Sequence, residues 1–314
     1  MPPIVIAHRG ASGHRPEHTL AAYELGARQG AEYIEPDLVS TRDGHLVARH
    51  ENDISGTTDV GSRPEFAERQ ATKTIDGATA TGWFVEDFTL DELRTLRAKE
   101  RLPALRPRNT EHDGRHGIPT FQEIIDLAAR LSEELGRPVG IYPETKHPSY
   151  HRSIGLPIEP ALVDALRRNG LDHEHANVFV QSFEVENLKA LRGQLSVPLV
   201  QLIGANAPAL ATAAGLRGIA AYADAVGPAK AHIVPRDAAG ASQPPTRFVD
   251  DAHAAGLLVH PYTFRRENTF LPAELRSGDD PAAPGNLAAE LRQFFALGVD
   301  GVFSDFPDTA VTAR

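Results

Sequence analysis

The sequence predicts an α/β chain closed into a (β/α)8 TIM barrel, with a small insertion subdomain after the second strand. Three observations lead there. Short apolar runs without strict alternation recur along the chain, as expected of strands buried on both faces of a parallel sheet. Helical stretches separate them, several followed by a glycine placed as a left-handed cap. The strand count reaches eight, which favours a closed barrel over an open doubly wound sheet.

In chain order the predicted strands are PIVIAH, AEYIEPDL after Gly30, PVGIYPETK, NVFVQSF beyond Gly170, PLVQLI, a weak AVGPA, GLLVHPYTF after Gly256 and DGVFSDF after Gly298. A short extra strand, HLVARH, folds back after a turn at Asp43-Gly44. Thr120 and Glu123 have capping-box spacing ahead of an Ile124, Ile125, Leu127, Ala128, Leu131 stripe. Leu287, Leu291, Phe294 and Phe295 mark another apolar helix face. The rhythm breaks from Glu51 to Gly117, a polar stretch with one helical piece near Thr89–Glu92. Loops that long are usually functional or small subdomains. Residues 51–117 therefore read as an insertion over one end of a single catalytic domain spanning 1–314. Residues 264–285 read as a second long loop.

The 314 residues are 41% hydrophobic and 24% charged, which excludes a disordered, collagen-like or coiled-coil chain. With 32 Lys and Arg against 42 Asp and Glu, the net charge is −10, which argues against nucleic-acid binding. A small anionic substrate held by local cations remains compatible. The absence of cysteine removes disulfides, thiolate metal sites and cysteine nucleophiles. No long apolar run or leader-like start is present, so stable membrane insertion is not expected. As written the chain reads as cytoplasmic; a removed signal peptide would make it periplasmic or secreted. Oligomeric state is not legible.

In such a barrel function collects at the carboxyl ends of the strands. There the sequence places His8-Arg9, Glu35-Pro-Asp37, His50, Glu144-Thr-Lys146, Gln181, His260, Tyr262 and Asp305. Glu35 and Asp37, two apart on a strand, point to one face and would repel unless a cation sits between them. Glu144 completes an oxygen-ligand set suited to a hard divalent cation, Ca²⁺ or Mg²⁺. The structural alternative is that these acids pair with rim Arg or Lys. His8 and His50 are an acid–base pair in waiting, since imidazole titrates near neutrality. His112, His116, His173 and His175 read instead as structural or solvated. Arg9 and Lys146 suit a phosphate, the first as a fork and the second as a point charge. Phe183 and Tyr150 are apolar walls for a substrate. No phosphate-binding P-loop, G-x-S-x-G elbow or H-E-x-x-H helix is present.

The segment AHRGASGHRPEHTLAAYELGARQGAEYIEPDLVSTRDGHLVARH resembles the opening of glycerophosphodiester phosphodiesterases. YPETKHPSYH, VFVQSFE and GVFSDFPD resemble the family's third, fourth and closing strands, so the likeness spans nearly the whole chain. The form is most similar to the longer, bacterial periplasmic-type branch. The resemblance implies a metal-dependent hydrolase that cuts glycerophosphodiesters, such as glycerophosphocholine or glycerophosphoethanolamine, into glycerol 3-phosphate and an alcohol. Glu35, Asp37 and Glu144 would be metal ligands, His8 and His50 the acid and base, and Arg9 and Lys146 phosphate ligands. The insertion would be the family's capping subdomain. The chain departs from the family at Glu51, where an aspartate is usual, and carries His18 where asparagine is commoner. Alternatives are a phospholipase D-like or lysophospholipid-cleaving enzyme of the same superfamily, a catalytically silent phosphate-binding barrel, and a lyase using Lys146 as a Schiff base.

Overall fold

A computed structural model describes residues 2–314. Its strands are, in chain order, β1 (Ile4–His8), β2 (Tyr33–Glu35), β3 (Asp37–Ser40), β4 (Leu46–Ala48), β5 (Ala71–Ile75), β6 (Ala78–Gly82), β7 (Gly140–Ile141), β8 (Glu144–Thr145), β9 (Val180–Ser182), β10 (Leu199–Ile203), β11 (Ala225–Pro228), β12 (Leu258–Val259) and β13 (Gly301–Ser304). All but β4, β5 and β6 pair in parallel. β2 and β3 are one barrel strand interrupted at Pro36, and β7 and β8 another interrupted at Pro143. Proline has no N–H to give the ladder, but its carbonyl still accepts: Glu144 N donates to Pro36 O (2.9 Å) and Gln181 N to Pro143 O (2.9 Å).

Counted that way, eight barrel strands run in sequence order. β13 pairs with β1, and Asp300 N to Val259 O (2.9 Å) and Phe303 N to Pro261 O (3.1 Å) tie the last strand to its predecessor. The ring is closed, as the sequence predicts. β4 returns antiparallel on β3, with Val39 opposite Val47, after the turn at Asp43-Gly44. The helix Phe121–Leu135 starts at the expected capping box and buries Ile124, Ile125, Leu127, Ala128 and Leu131. Gly30, Gly170, Gly256 and Gly298, placed as helix stops, all have positive φ.

A large apolar core lies between strands and helices. A smaller, aromatic one fills the barrel: Tyr142 stacks on Phe179 (4.9 Å), and Phe303 meets Tyr142 edge-on (5.0 Å). This layer is the floor beneath His8, whose ring meets Phe303 edge-on.

Residues 51–117 form no β–α unit, as expected, but they do contain an unforeseen hairpin, β5–β6. Its strands are Ala/Thr-rich and mostly exposed, so no apolar alternation announces them. The Asp76-Gly77 turn, with φ of 50° and 81°, was the signal available. The segment also carries the helix Leu90–Arg94 with its Thr89/Glu92 capping box. Ile54, Val60, Phe66, Val85, Phe88, Leu93 and Leu96 pack with Val39 and Val47 of β3 and β4, which fastens the segment to the barrel wall. Among the described residues no helix is long and apolar enough to cross a membrane.

Candidate active site

The carboxyl ends of the strands deliver the expected groups to one place. Glu35 ends β2, Asp37 begins β3 and Glu144 begins β8, in register with Asp37. Their carboxylates are buried and offer oxygens within 4.8 Å of one another. Each is individually oriented. Gln181 Nε2 donates to Glu35 Oε1 (3.0 Å) and the Arg9 amide to Glu35 Oε2 (2.8 Å). His18 Nε2 bonds Asp37 Oδ2 (2.8 Å), while its Nδ1 bonds the Tyr23 hydroxyl (2.7 Å). Lys146 Nζ sits 3.0 Å from Glu144 Oε1. Asp37 Oδ1 is buried with no hydrogen-bond partner.

Burial and mutual repulsion push the Glu35 carboxyl well above its usual range. Burial likewise raises Glu144 to about 8, against the pull of Lys146. Asp37 is held well below its range because Lys146 and His18 outweigh burial. Such a crowded set, with one oxygen left bare, has the character of a divalent-cation site: hard oxygen donors, one orphaned lone pair and hydrogen bonds behind the ligands.

His8 and His50 both line a 280 Å³ cavity with Glu35, Glu144, Gln181 and Phe183. Each ring is gripped at Nδ1 by a carboxylate. His8 Nδ1 lies 2.6 Å from Asp305 Oδ1, and His50 Nδ1 is bonded to Glu51 Oε1. Asp305 is kept ionised by Arg265 and Arg106, and Glu51 by His50 and Arg101. An ionised carboxylate accepts, so both rings carry their proton on Nδ1 and leave Nε2 as the free base nitrogen. Burial, with Arg9 close by, lowers His8 to about 4; burial, Arg9 and Lys146 lower His50 to about 3. Both rings are therefore neutral at pH 7.

Arg9 lines the same cavity, but part of its charge is already engaged: Nη1 bonds Glu17 Oε2 (3.1 Å) and Nε lies 3.3 Å from Asp37 Oδ2. Lys146 lines an adjoining cavity with His50, Glu144 and Phe183, and its ammonium lies 5.8 Å from the Phe183 ring centre. Both cations thus pair with carboxylates of the site, as the structural alternative has it, while Arg9 and Lys146 each still line a cavity. Phe183 is 43% exposed at the mouth, edge-on to Tyr262. Tyr150 does not join it, which corrects that expectation. Its hydroxyl donates to Glu86 Oε1 (2.6 Å), and the ring lines a separate cavity against the insertion with Lys73.

Several site-forming residues were not legible beforehand. Glu17, Arg101 and Arg106 carry no strand-end signature, and only their buried ion pairs reveal them. Gln181 and Asp305 were visible as polar strand ends, without a role.

Residues 8–309 match the Glycerophosphoryl diester phosphodiesterase family. The chain belongs to this family. It is 34% identical to the glycerophosphodiester phosphodiesterase GDPD6 of Arabidopsis thaliana over 97% of its own length and 84% of the relative's. It is 30% identical to a glycerophosphodiester phosphodiesterase of Haemophilus influenzae over 98% of this chain and 88% of that one. The chain is accordingly an enzyme of the glycerophosphodiester phosphodiesterase kind. Among solved structures, an Oleispira antarctica phosphodiesterase in complex with its product sn-glycerol-3-phosphate superposes with a TM-score of 0.67 at 22% identity, covering 99% of this chain and 96% of that one. A glycerophosphodiester phosphodiesterase from Agrobacterium tumefaciens gives 0.61 at 22%, covering 99% and 100%. Both likenesses speak to the barrel fold.

Proposed function

We propose that the chain hydrolyses small glycerophosphodiesters, such as glycerophosphocholine or glycerophosphoethanolamine, to glycerol 3-phosphate and the free alcohol. The observation that carries this reading is the joining of a buried carboxylate triad and two carboxylate-backed histidines in one cavity. Glu35, Asp37 and Glu144 would hold one divalent cation, Ca²⁺ or Mg²⁺. When bound, it would supply Lewis-acid stabilisation of charge developing on a phosphoryl oxygen.

The rest follows from the chain's own groups. Arg9 and Lys146 hold the phosphodiester by its negative charge. That anion offsets the two cations which, after burial, depress His50, so its arrival raises the ring toward its working range. One histidine, neutral with Nε2 free, takes a proton there from the attacking hydroxyl; the other, once it has taken up a second proton from solvent at Nε2, gives that proton to the departing alkoxide. The attacking group is the glycerol 2-hydroxyl, giving a cyclic phosphate that water opens, or water itself. Residues 51–117 act as a cap beside the site within one catalytic domain. Phe183 at the mouth provides an apolar wall.

The reading is tested by stripping the purified protein with chelator, adding back Ca²⁺ or Mg²⁺, and following choline release from glycerophosphocholine. Release restored by metal and lost in Glu35→Ala is the expected result. Turnover unaffected by chelation, or retained in Glu35→Ala, would remove the triad from the reaction.

A further inference from the structure

The two histidines share a feature that motif positions do not explain. Behind the carboxylate that grips each ring stands an arginine of the insertion; Asp305 Oδ2 also accepts from Arg265 Nε (2.9 Å), which lines the cavity itself. Arg101 Nη1 donates to Glu51 Oε1 (2.9 Å), the same oxygen that bonds His50 Nδ1, and its Nη2 bonds Glu51 Oε2. That Nη2 also donates to Glu17 Oε1 (2.7 Å), and Glu17 Oε2 accepts from Arg9 Nη1 (3.1 Å). Arg106 Nη2 donates to Asp305 Oδ2 (2.6 Å), whose other oxygen holds His8 Nδ1. Its Nε bonds Glu267 (2.5 Å) and its Nη1 the carbonyl of Ser12 (3.0 Å). Neither arginine lines the catalytic cavity.

The backbone presenting them is itself pinned. Glu100 accepts from the amide of Leu102 (2.8 Å) and from Asn109 Nδ2 (2.8 Å), while its own amide donates to Asp113 (2.7 Å). Asn109 also reaches the Ser12 carbonyl, 3.1 Å away in the loop after β1. An arginine fork fixed at its root can hold a carboxylate in one plane, which a lysine point charge cannot.

We propose that Arg101 and Arg106 are positioning residues through which the insertion sets the orientation of both histidines: Arg101 through Glu51 to His50, and Arg106 through Asp305 to His8. Arg101 has a second arm, through Glu17 to Arg9, so one side chain governs a ring and a phosphate-binding cation together. The glutamate at position 51, longer than the family's usual aspartate, is shared between ring and arginine. The inference rests on the reading of His8 and His50 as the proton-transfer pair.

The test compares Arg101→Gln, Glu51→Gln and the double variant in kcat, KM and Tm, with glycerophosphocholine and metal. Each single variant should lose roughly 10-fold to 100-fold in kcat, as removal of an orienting partner typically does. The double variant should be no worse than the poorer single one, because both act through one ring. Arg101→Gln should also raise KM through Arg9, whereas Glu51→Gln should leave KM unchanged. Arg101→Lys should recover part of kcat. Losses that multiply, or a lowered Tm with unchanged kcat, would overturn the proposal.

A readout independent of turnover uses ¹H–¹⁵N imidazole spectra of the metal-free full chain at neutral pH. The wild-type protein should show His50 and His8 neutral with the proton on Nδ1. Arg101→Gln should admit the Nε2–H form at His50 alone, and Arg106→Gln at His8 alone. Rings protonated on Nε2 in the wild type would overturn the proposal even in an active enzyme. Failure to turn over any glycerophosphodiester would instead strike the proposed function, with the spectra still deciding the orientation.

Discussion

Replacing Asp305 by asparagine isolates what one buried negative charge does for His8. The carboxylate is 2% exposed and serves three donors: His8 Nδ1 at 2.6 Å, Arg106 Nη2 at 2.6 Å and Arg265 Nε at 2.9 Å. An amide of the same shape has one acceptor oxygen and one donor nitrogen. If the oxygen keeps the arginines, the amide N–H faces the ring and forces the His8 proton onto Nε2, the atom needed as base or acid. If the oxygen turns to the ring, two guanidinium groups face an N–H donor. The first arrangement leaves fewer unpaired charges and should prevail. The expected loss is that of one proton-transfer group, about 10²–10⁴-fold in kcat. Breaking a buried pair outright costs about 3–5 kcal/mol. The cost here is smaller, because Arg106 retains Glu267 at 2.5 Å and the oxygen still accepts. The variant should therefore fold with a lowered Tm. Steady-state choline release and thermal unfolding by circular dichroism measure the two effects separately. A folded Asp305→Asn protein with kcat within about threefold of wild type would refute the orienting role.

Three further outcomes follow from other parts of the molecule. Gly10→Ala should destabilise by at least about 1–2 kcal/mol for its left-handed backbone alone (φ 86°), plus overlap of a new Cβ with Ala22 backbone at 2.5 Å; a Tm equal to wild type would contradict this. His260, 1% exposed, is lowered by burial to about 4, so as pH falls the unfolded chain takes up its proton first, near 6.5. Its stabilisation is full above pH 6.5 and is lost toward pH 4, by roughly 3 kcal/mol, which His260→Gln should abolish in pH-dependent urea melts. His18→Ala, which frees Asp37, should weaken divalent-metal binding by roughly 10–100-fold in calorimetric titration; unchanged affinity would show that the His18–Asp37 contact does not tune the site.

The barrel was legible because buried parallel strands leave continuous apolar runs, and their polar last residues stand out against them. His8 and Glu35 end such strands, Asp37 and Glu144 follow the prolines that interrupt two of them, and His50 lies just past the antiparallel β4; all five gather at one mouth. The hairpin β5–β6 left only its Asp76-Gly77 turn as a signal, since its strands, ATKTI and ATATG, are mostly exposed and bury no apolar face. Tyr150 misled because its partner, Glu86 of the insertion, lies 64 residues away in sequence, a contact that local pattern does not announce. Glu17, Arg101 and Arg106 were hidden for another reason. Their roles come from ion pairs across long sequence separations, such as the 84 residues between Glu17 and Arg101, which local pattern does not encode.

The central claim is that this cavity cleaves a phosphodiester so as to leave phosphate on glycerol. It is tested most directly by ³¹P NMR of glycerophosphocholine incubated with the metal-loaded protein in H₂¹⁸O. The expected result is conversion of the diester resonance into glycerol 3-phosphate bearing one solvent oxygen, with free choline. Phosphocholine and glycerol as products, or an unchanged diester resonance with both Ca²⁺ and Mg²⁺, would contradict it.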